Sequence, residues 1–310
     1  MLHRIATVAF NAYREAVRAR VLLGLAGVAF AVAFYSLVVG SFTLRDAPRV
    51  VADLGAATIS VFSIAVAILI GATSLYRELE MKTILPLLAR PIRRAEYLVG
   101  KFVGTMTVVL VFAMAETGLV LMMSAVLGGR SVAVVVGVAA ALLIALAGAS
   151  VGSQTRRTFA PIPWAMAMLG AGLWLSAVAP LERSLVMSSA TLTVLEVMIV
   201  ASLATLFSSF STPFVSSLLT VGTIVVGRNA DSLTQLPPRV FGPAISTAGE
   251  YVGALWPNLQ VYVPARPLLT GEALEANLPR YLGQAGLQSL GWTVALLTVA
   301  AVVFQRRDFV

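Results

Sequence analysis

The sequence predicts an all-α polytopic membrane protein, and three observations carry that prediction. Of 310 residues, 59% are hydrophobic and only 12% charged, with a mean hydropathy of +0.92. A water-soluble domain carries roughly a quarter charged residues. Uncharged apolar runs of the length that crosses hydrocarbon as a helix, about 20 residues, recur along the chain, and the connections between them hold most of the arginines. Such a chain cannot clothe a water-facing surface, which excludes soluble and disordered classes. Zero cysteines remove disulfides, thiolate metal sites and cysteine nucleophiles. The lone histidine, His3, nearly excludes histidine catalysis and multi-histidine metal sites.

Residues 1–20 come first and are too polar to span. At 100° per residue, Leu2, Ile5, Ala6, Ala9, Phe10, Tyr13, Ala16 and Val17 share one arc. Arg4, Thr7, Asn11, Arg14, Glu15 and Arg18 take the opposite arc, with Val8 breaking the pattern. An amphipathic helix of this kind lies in the membrane interface. It serves either as a basic anchor or as a lever on a soluble partner. No small-residue cleavage site follows a short apolar stretch, so these residues do not read as a removable signal peptide.

About eight spans follow. Val21–Phe42 and Gly55–Tyr76 are charge-free, Phe102–Leu127 contains Glu116, and Val132–Gly152 and Ile162–Leu181 are again charge-free. Leu185–Phe207 contains Glu196, and Gln284–Phe304 closes the series. Between these last two, Phe214–Gly227 is apolar but reaches only roughly 21 Å at helical rise. With the N-terminus inside and eight crossings, 14 of the 22 Lys and Arg residues fall inside. Half of the others lie in the long segment after Gly227, where charge bias carries little topological weight. Both ends are then cytoplasmic. The formal charge of +8 follows from this bias rather than from nucleic-acid binding.

Three connections stand apart. Residues 77–101 mix six basic residues with Ile84, Leu85, Leu87 and Leu88, and Pro86 and Pro91 break the stretch into short pieces. Apolar groups beside charge on a short projecting element suit docking to a soluble protein; retention of topology is the plainer reading. Residues 228–283 are proline-rich, with Tyr251, Trp256 and Tyr262 suited to the headgroup level. Short re-entrant or interfacial helices are expected there, or a surface loop. The turn Ser208–Pro213 has hydroxyls able to satisfy backbone groups freed near a proline.

Together these segments resemble the permease subunit of ABC-2 type transporters, and look closest to the branch serving copper-enzyme maturation and gliding motility. The residues that carry the resemblance are Glu78, Glu80, Thr83, Ile84, Leu87, Leu88, Pro91, Ile92, Arg94, Gly100 and Lys101 of the stretch 77–101. The SSFSTP turn, the run Pro257-Asn258-Leu259-Gln260, and the closing Phe304, Arg306, Arg307 and Asp308 add to it. Lys82 departs from the family pattern, standing where a glycine is usual. The resemblance implies a six-helix core, so residues 132–181 read as an inserted helix pair within a single permease domain, residues 1–310. It also implies a second permease subunit, identical or not, and two ATPase subunits that bind ATP and Mg. Placement in a bacterial inner membrane follows from the same source.

The chain has no GxxxxGK[ST] loop: Ala95 stands where the first glycine should be, and Phe102 follows Gly100-Lys101. It is therefore expected to bind no cofactor and catalyse no reaction, and to move a substrate on energy from its ATPase. The candidate coupling residues are Glu78, Glu80, Lys82, Thr83, Leu87, Leu88, Arg90, Pro91, Arg93 and Arg94, with Arg4, Arg14, Glu15 and Arg18 on the interface helix. Glu116 and Glu196 either line a polar path or bind a cation, or else hold helices together as hydrogen-bonded acids. The alternatives are a secondary transporter or channel, which would place more polar groups at mid-membrane, and a scaffold subunit that transports nothing.

Overall fold

The computed structural model describes residues 2–43, 46–80, 93–151, 153–264 and 277–306. The described residues form thirteen α-helices and two short 3₁₀ turns. The helices are α1 (Leu2–Arg18), α2 (Arg20–Ser41), α3 (Ala47–Glu80), α4 (Arg94–Leu127), α5 (Val132–Ser150), α6 (Gln154–Phe159) and α7 (Pro161–Leu175), followed by α8 (Pro180–Ser208), α9 (Pro213–Arg228), α10 (Ala230–Thr234), α11 (Pro238–Phe241), α12 (Pro243–Leu255) and α13 (Leu278–Gln305).

Seven stretches among the described residues are long and apolar enough to cross a membrane: Val21–Ser41, Ala47–Ser74, Arg94–Leu127, Val132–Ser150, Pro161–Val178, Pro180–Ser208 and Leu278–Gln305. The shorter α9, at 16 residues or roughly 24 Å, occupies the stretch already marked as too short to reach across alone. The all-helical polytopic architecture is thus present. Residues 228–264 wind into α10, α11, α12 and a 3₁₀ turn at Gln260–Tyr262.

Proline punctuates these helices where it costs least. Pro161, Pro180, Pro213, Pro238 and Pro243 each open a helix, and Pro279 lies in the first turn of α13. There the missing amide hydrogen has no intrahelical partner to lose. The end of α4 is a glycine stop. Gly129 sits at φ 97°, the Arg130 amide donates to the Ala125 carbonyl, and the Gly129 amide donates to that of Val126. This pair of bonds satisfies carbonyls the helix would otherwise strand.

The chain divides into two compact units. One comprises Met1–Ile5, Ala67–Phe102 and Leu195–Val310; the other comprises Ala6–Val66 and Val103–Val194. In the second unit, a core of Ala33, Val51, Ile59, Leu121, Met122, Leu175 and Val186 gathers side chains from α2, α3, α4, α7 and α8. Backbones approach closely at small residues. A Cβ at Gly118 would lie 2.5 Å from the Met168 carbonyl carbon, and one at Gly172 would lie 2.7 Å from the Gly118 oxygen, so α4 and α7 touch main chain to main chain. By contrast, a Cβ at Gly137 or Gly148 of α5 would meet nothing within 4 Å, and Val135 is the one fully buried residue of that helix.

The amphipathic helix forms as its periodicity predicts, with its buried arc turned slightly from the expected one. Val8, Ala9, Ala12, Tyr13 and Ala16 are buried, whereas Ala6 and Phe10 are exposed. The cause is Gly104 of α4: a Cβ there would lie 2.6 Å from both the Ala12 Cβ and the Ala9 carbonyl oxygen. The small side chains of α1 therefore turn toward this glycine, which brings Val8 inward and leaves Phe10 outside.

Candidate functional site

The candidate coupling stretch lies in the first unit, and the structure frames it on both sides. Glu78 and Glu80 belong to the last turn of α3. Lys82, Thr83, Leu87, Leu88, Arg90 and Pro91 lie outside the described residues. Arg93 is the first described residue after them, and Arg94 opens α4.

The start of α4 is built by an acid that the sequence did not single out. The Glu96 carboxylate accepts the Arg93 amide at 3.3 Å, three residues back, and the Arg93 carbonyl accepts from the Tyr97 amide. Arg93 is thus the residue that caps the helix, and Glu96 reaches back to it as in a capping box. Glu96 is buried and also lies 3.9 Å from the Arg4 guanidinium near the beginning of α1. The sequence signal was an acid in the first helical turn, where the helix dipole favours it.

Arg94 turns toward the end of the chain. Its Nη1 donates to the carbonyl oxygens of Phe304 at 3.2 Å and Gln305 at 2.9 Å. These carbonyls belong to the last turn of α13, which has no further helical amides to bond them. Tyr97, one turn on from Arg94, stacks on Phe304 with ring centroids 6.3 Å apart. Lys101, one further turn along, is 5% exposed, donates to Ser74 Oγ at 3.0 Å, and sits 5.9 Å from the Tyr97 ring centroid. The closing Gly-Lys of the stretch therefore ties α4 to α3. The first residues of α1, the end of α3, the start of α4 and the end of α13 form one fastened base.

The two deep acids have different surroundings. Glu196 of α8 forms a two-pronged ion pair with Arg228 at the end of α9: Nε to Oε1 at 2.8 Å and Nη2 to Oε2 at 2.9 Å. The glutamate is essentially inaccessible and the arginine is 30% exposed. Neither reading of Glu196 included this cation, which lies 32 residues away. Glu116 of α4 is fully buried, and neither carboxyl oxygen has a hydrogen-bond partner among the described residues.

Around Arg228 the run Pro257–Gln260 acts as a clasp. The Leu259 amide donates to the Gly227 carbonyl at 2.9 Å, and the Asn258 side-chain amide donates to Asp231 at 2.7 Å. A Cβ at Gly227 would lie 2.7 Å from the Pro257 oxygen, which explains the glycine. The Trp256 indole donates to the Thr223 carbonyl, and Tyr262 donates its hydroxyl to Ala285 of α13 at 3.2 Å. Burial pushes the Tyr262 phenol up to about 12. Ser289 of α13 donates to the Leu195 carbonyl at 2.7 Å, beside Glu196. This network holds the charged pair in place.

On the interface helix, Arg4 pairs with Glu96 in the first unit. Arg14, Glu15 and Arg18 belong to the second. Phe159 of α6 stacks on Phe10 at 4.5 Å and on Tyr13 at 5.8 Å. This places the basic α6, with Arg156 and Arg157, against α1.

No curated protein matches the chain significantly. The family model described as ABC-2 family transporter protein matches residues 6–309. That span takes in the interface helix from Ala6, the coupling stretch, the clasp and all seven candidate membrane-crossing helices. The chain belongs to the ABC-2 transporter family, as a multi-pass membrane component that is not itself catalytic.

Proposed function

We propose that the chain is the membrane-spanning half of an ATP-driven pump, moving its substrate on nucleotide hydrolysed by a separate ATPase subunit. The observation that carries this reading is the family match over residues 6–309 in a sequence that holds no phosphate-binding loop. Two permease and two ATPase subunits make the working assembly, in a bacterial inner membrane with both chain ends cytoplasmic.

In this reading, residues 77–97 seat in a groove of the ATPase, and Glu78, Glu80 and Arg93 fix their register by charge. Arg94 serves a second purpose. Because its guanidinium caps α13 and Glu96 pairs with Arg4, displacement of the coupling stretch is passed to α13 and to the first turn of α1 as well as to α4. Closure of the ATPase would thereby tilt several helices together and switch access between the membrane faces.

The absence of cysteine makes sidedness directly measurable. A Thr83→Cys variant in intact cells and in inverted vesicles should react with a membrane-impermeant maleimide only in the vesicles. Reaction in intact cells would put the stretch on the wrong face and end this reading. Charge reversal at Glu78, Glu80 and Arg93 together should abolish co-purification of the ATPase and its stimulated hydrolysis. Unchanged binding and hydrolysis would refute the coupling assignment.

A further inference from the structure

The second unit contains a groove of about 320 Å³ walled by α1, α2, α4, α5 and α7, within the usual range of ligand pockets of about 300–1,000 Å³. Tyr13 and Val17 stand at its α1 end. Along α2 it runs from Leu22 to Phe30, roughly 12 Å of helix at 1.5 Å per residue. Its lining is almost wholly hydrocarbon: the Trp164 indole nitrogen is already committed to the Leu142 carbonyl at 3.0 Å, which leaves the Tyr13 hydroxyl as the one polar group without a partner. Gly27 contributes space, since a Cβ there would meet nothing within 4 Å. A slot this dry does not hold water, which needs two to four polar partners.

The α1 end of the groove is cationic. Arg14 and Arg18 of α1 do not line the slot but stand on the polar arc beside it, one helical step of about 100° on from Tyr13 and Val17. Arg156 and Arg157 are exposed on α6, and the stack of Phe159 on Tyr13 holds that helix at the same end. Arg157 Nε also donates to the Ser150 carbonyl at 2.6 Å, which fastens α6 to the end of α5, whose Leu143 and Leu146 line the slot. Against these four arginines, α1 from residue 6 and α6 carry one acid, Glu15.

We propose that this groove binds one acyl chain of an anionic glycerophospholipid, with its phosphate on the arginines of α1 and α6. The amphipathic α1 sets the level of the membrane interface, the arginines lie at that level, and the apolar slot descends from it. Charged headgroup and hydrocarbon tail are thus addressed in the order a phospholipid presents them. Guanidinium groups meet phosphate oxygens in forked pairs. The site is distinct from the coupling stretch and independent of what the permease moves.

Four tryptophans occur in the chain, and Trp164 lines the groove. Full-length protein keeping Trp164 alone (Trp174→Phe, Trp256→Phe, Trp292→Phe) would be placed in phosphatidylcholine vesicles. Brominated-chain phosphatidylglycerol or brominated-chain phosphatidylcholine would then be added at equal mole fraction. Trp164 should be quenched preferentially by the anionic lipid, by about fivefold in apparent association for each arginine engaged. Gly27→Leu fills the slot and should reduce quenching by both lipids to the level of bulk chains. Arg156→Gln, which removes an exposed charge and leaves the Arg157 bond to Ser150 in place, should weaken the preference by about fivefold and keep the chain quenching. Equal quenching by the two lipids in the parent protein would overturn the proposal, as would unchanged quenching in Gly27→Leu. So would a Gly27→Leu variant that splits a dimer without altering quenching, which would make the groove an interface between copies.

Discussion

The guanidinium of Arg94 donates to the main-chain oxygens of both Phe304 and Gln305, so the residue that opens α4 also closes α13. Sequence separation between the partners exceeds 200 residues. Replacing Arg94 with alanine strands two terminal carbonyls and should lower stability by about 1.5 kcal/mol, the low end for bonds to a charged donor because the site is part-exposed. Lysine should restore only part of this, since its ammonium lacks the rigid planar group that aims the two Nη1 hydrogens at both oxygens. Hydrogen exchange of the amides at the end of α13 against those in its middle would show the local fraying.

The Glu196–Arg228 pair should respond asymmetrically. Arg228→Ala leaves a buried carboxylate without its cation and should cost about 3–5 kcal/mol. Removing both charges, as Glu196→Met with Arg228→Leu, should recover most of that loss. Unfolding in mixed micelles at matched scan rates would measure it. Glu116→Gln, at a position where neither oxygen has a partner, should change stability by less than about 1 kcal/mol.

The glycines of α4, α5 and α7 form a matched test. Gly118→Ala and Gly172→Ala push a methyl into opposing main chain and should each destabilise by about 1–3 kcal/mol. Gly137→Ala and Gly148→Ala meet no neighbour and should be neutral or slightly stabilising through helix propensity. Thermal shift of the four single variants in one detergent decides it.

Tyr13 has a buried hydroxyl without a partner, and burial pushes its phenol up to about 12. Tyr13→Phe removes the stranded group and keeps the stack on Phe159, so stability should hold or rise slightly. A clear drop would reveal a partner for the oxygen.

The span pattern was legible because apolar runs of membrane length are a strong signal, but the boundaries were less so: the run Ile162–Leu181 passes through Pro180, which opens α8. The face of α1 was legible only to within a fraction of a turn. Periodicity gives an apolar arc but not which part of it meets a glycine such as Gly104. Glu116 and Glu196 looked alike in sequence because what distinguishes them, Arg228, approaches through a separate helix. Small residues were equally ambiguous: Gly172 of α7 marks a tight seam, while Gly137 and Gly148 of α5 face open space. Glu96 and Lys101 were hidden among charges that also satisfy topology, so their fastening roles emerge only once α1, α3 and α4 are placed together.

α5 has a further consequence. Of its nineteen residues only Val135 is fully enclosed by the protein, so most of its van der Waals partners must be supplied by the surroundings. Its tertiary structure is shared with the solvent, and the identity of that solvent becomes a structural variable. Exchanging a bilayer for loosely packed short-chain surfactant should loosen α5 before it disturbs the glycine seam of α4 and α7, making this helix a gauge of how faithfully any extraction medium imitates lipid.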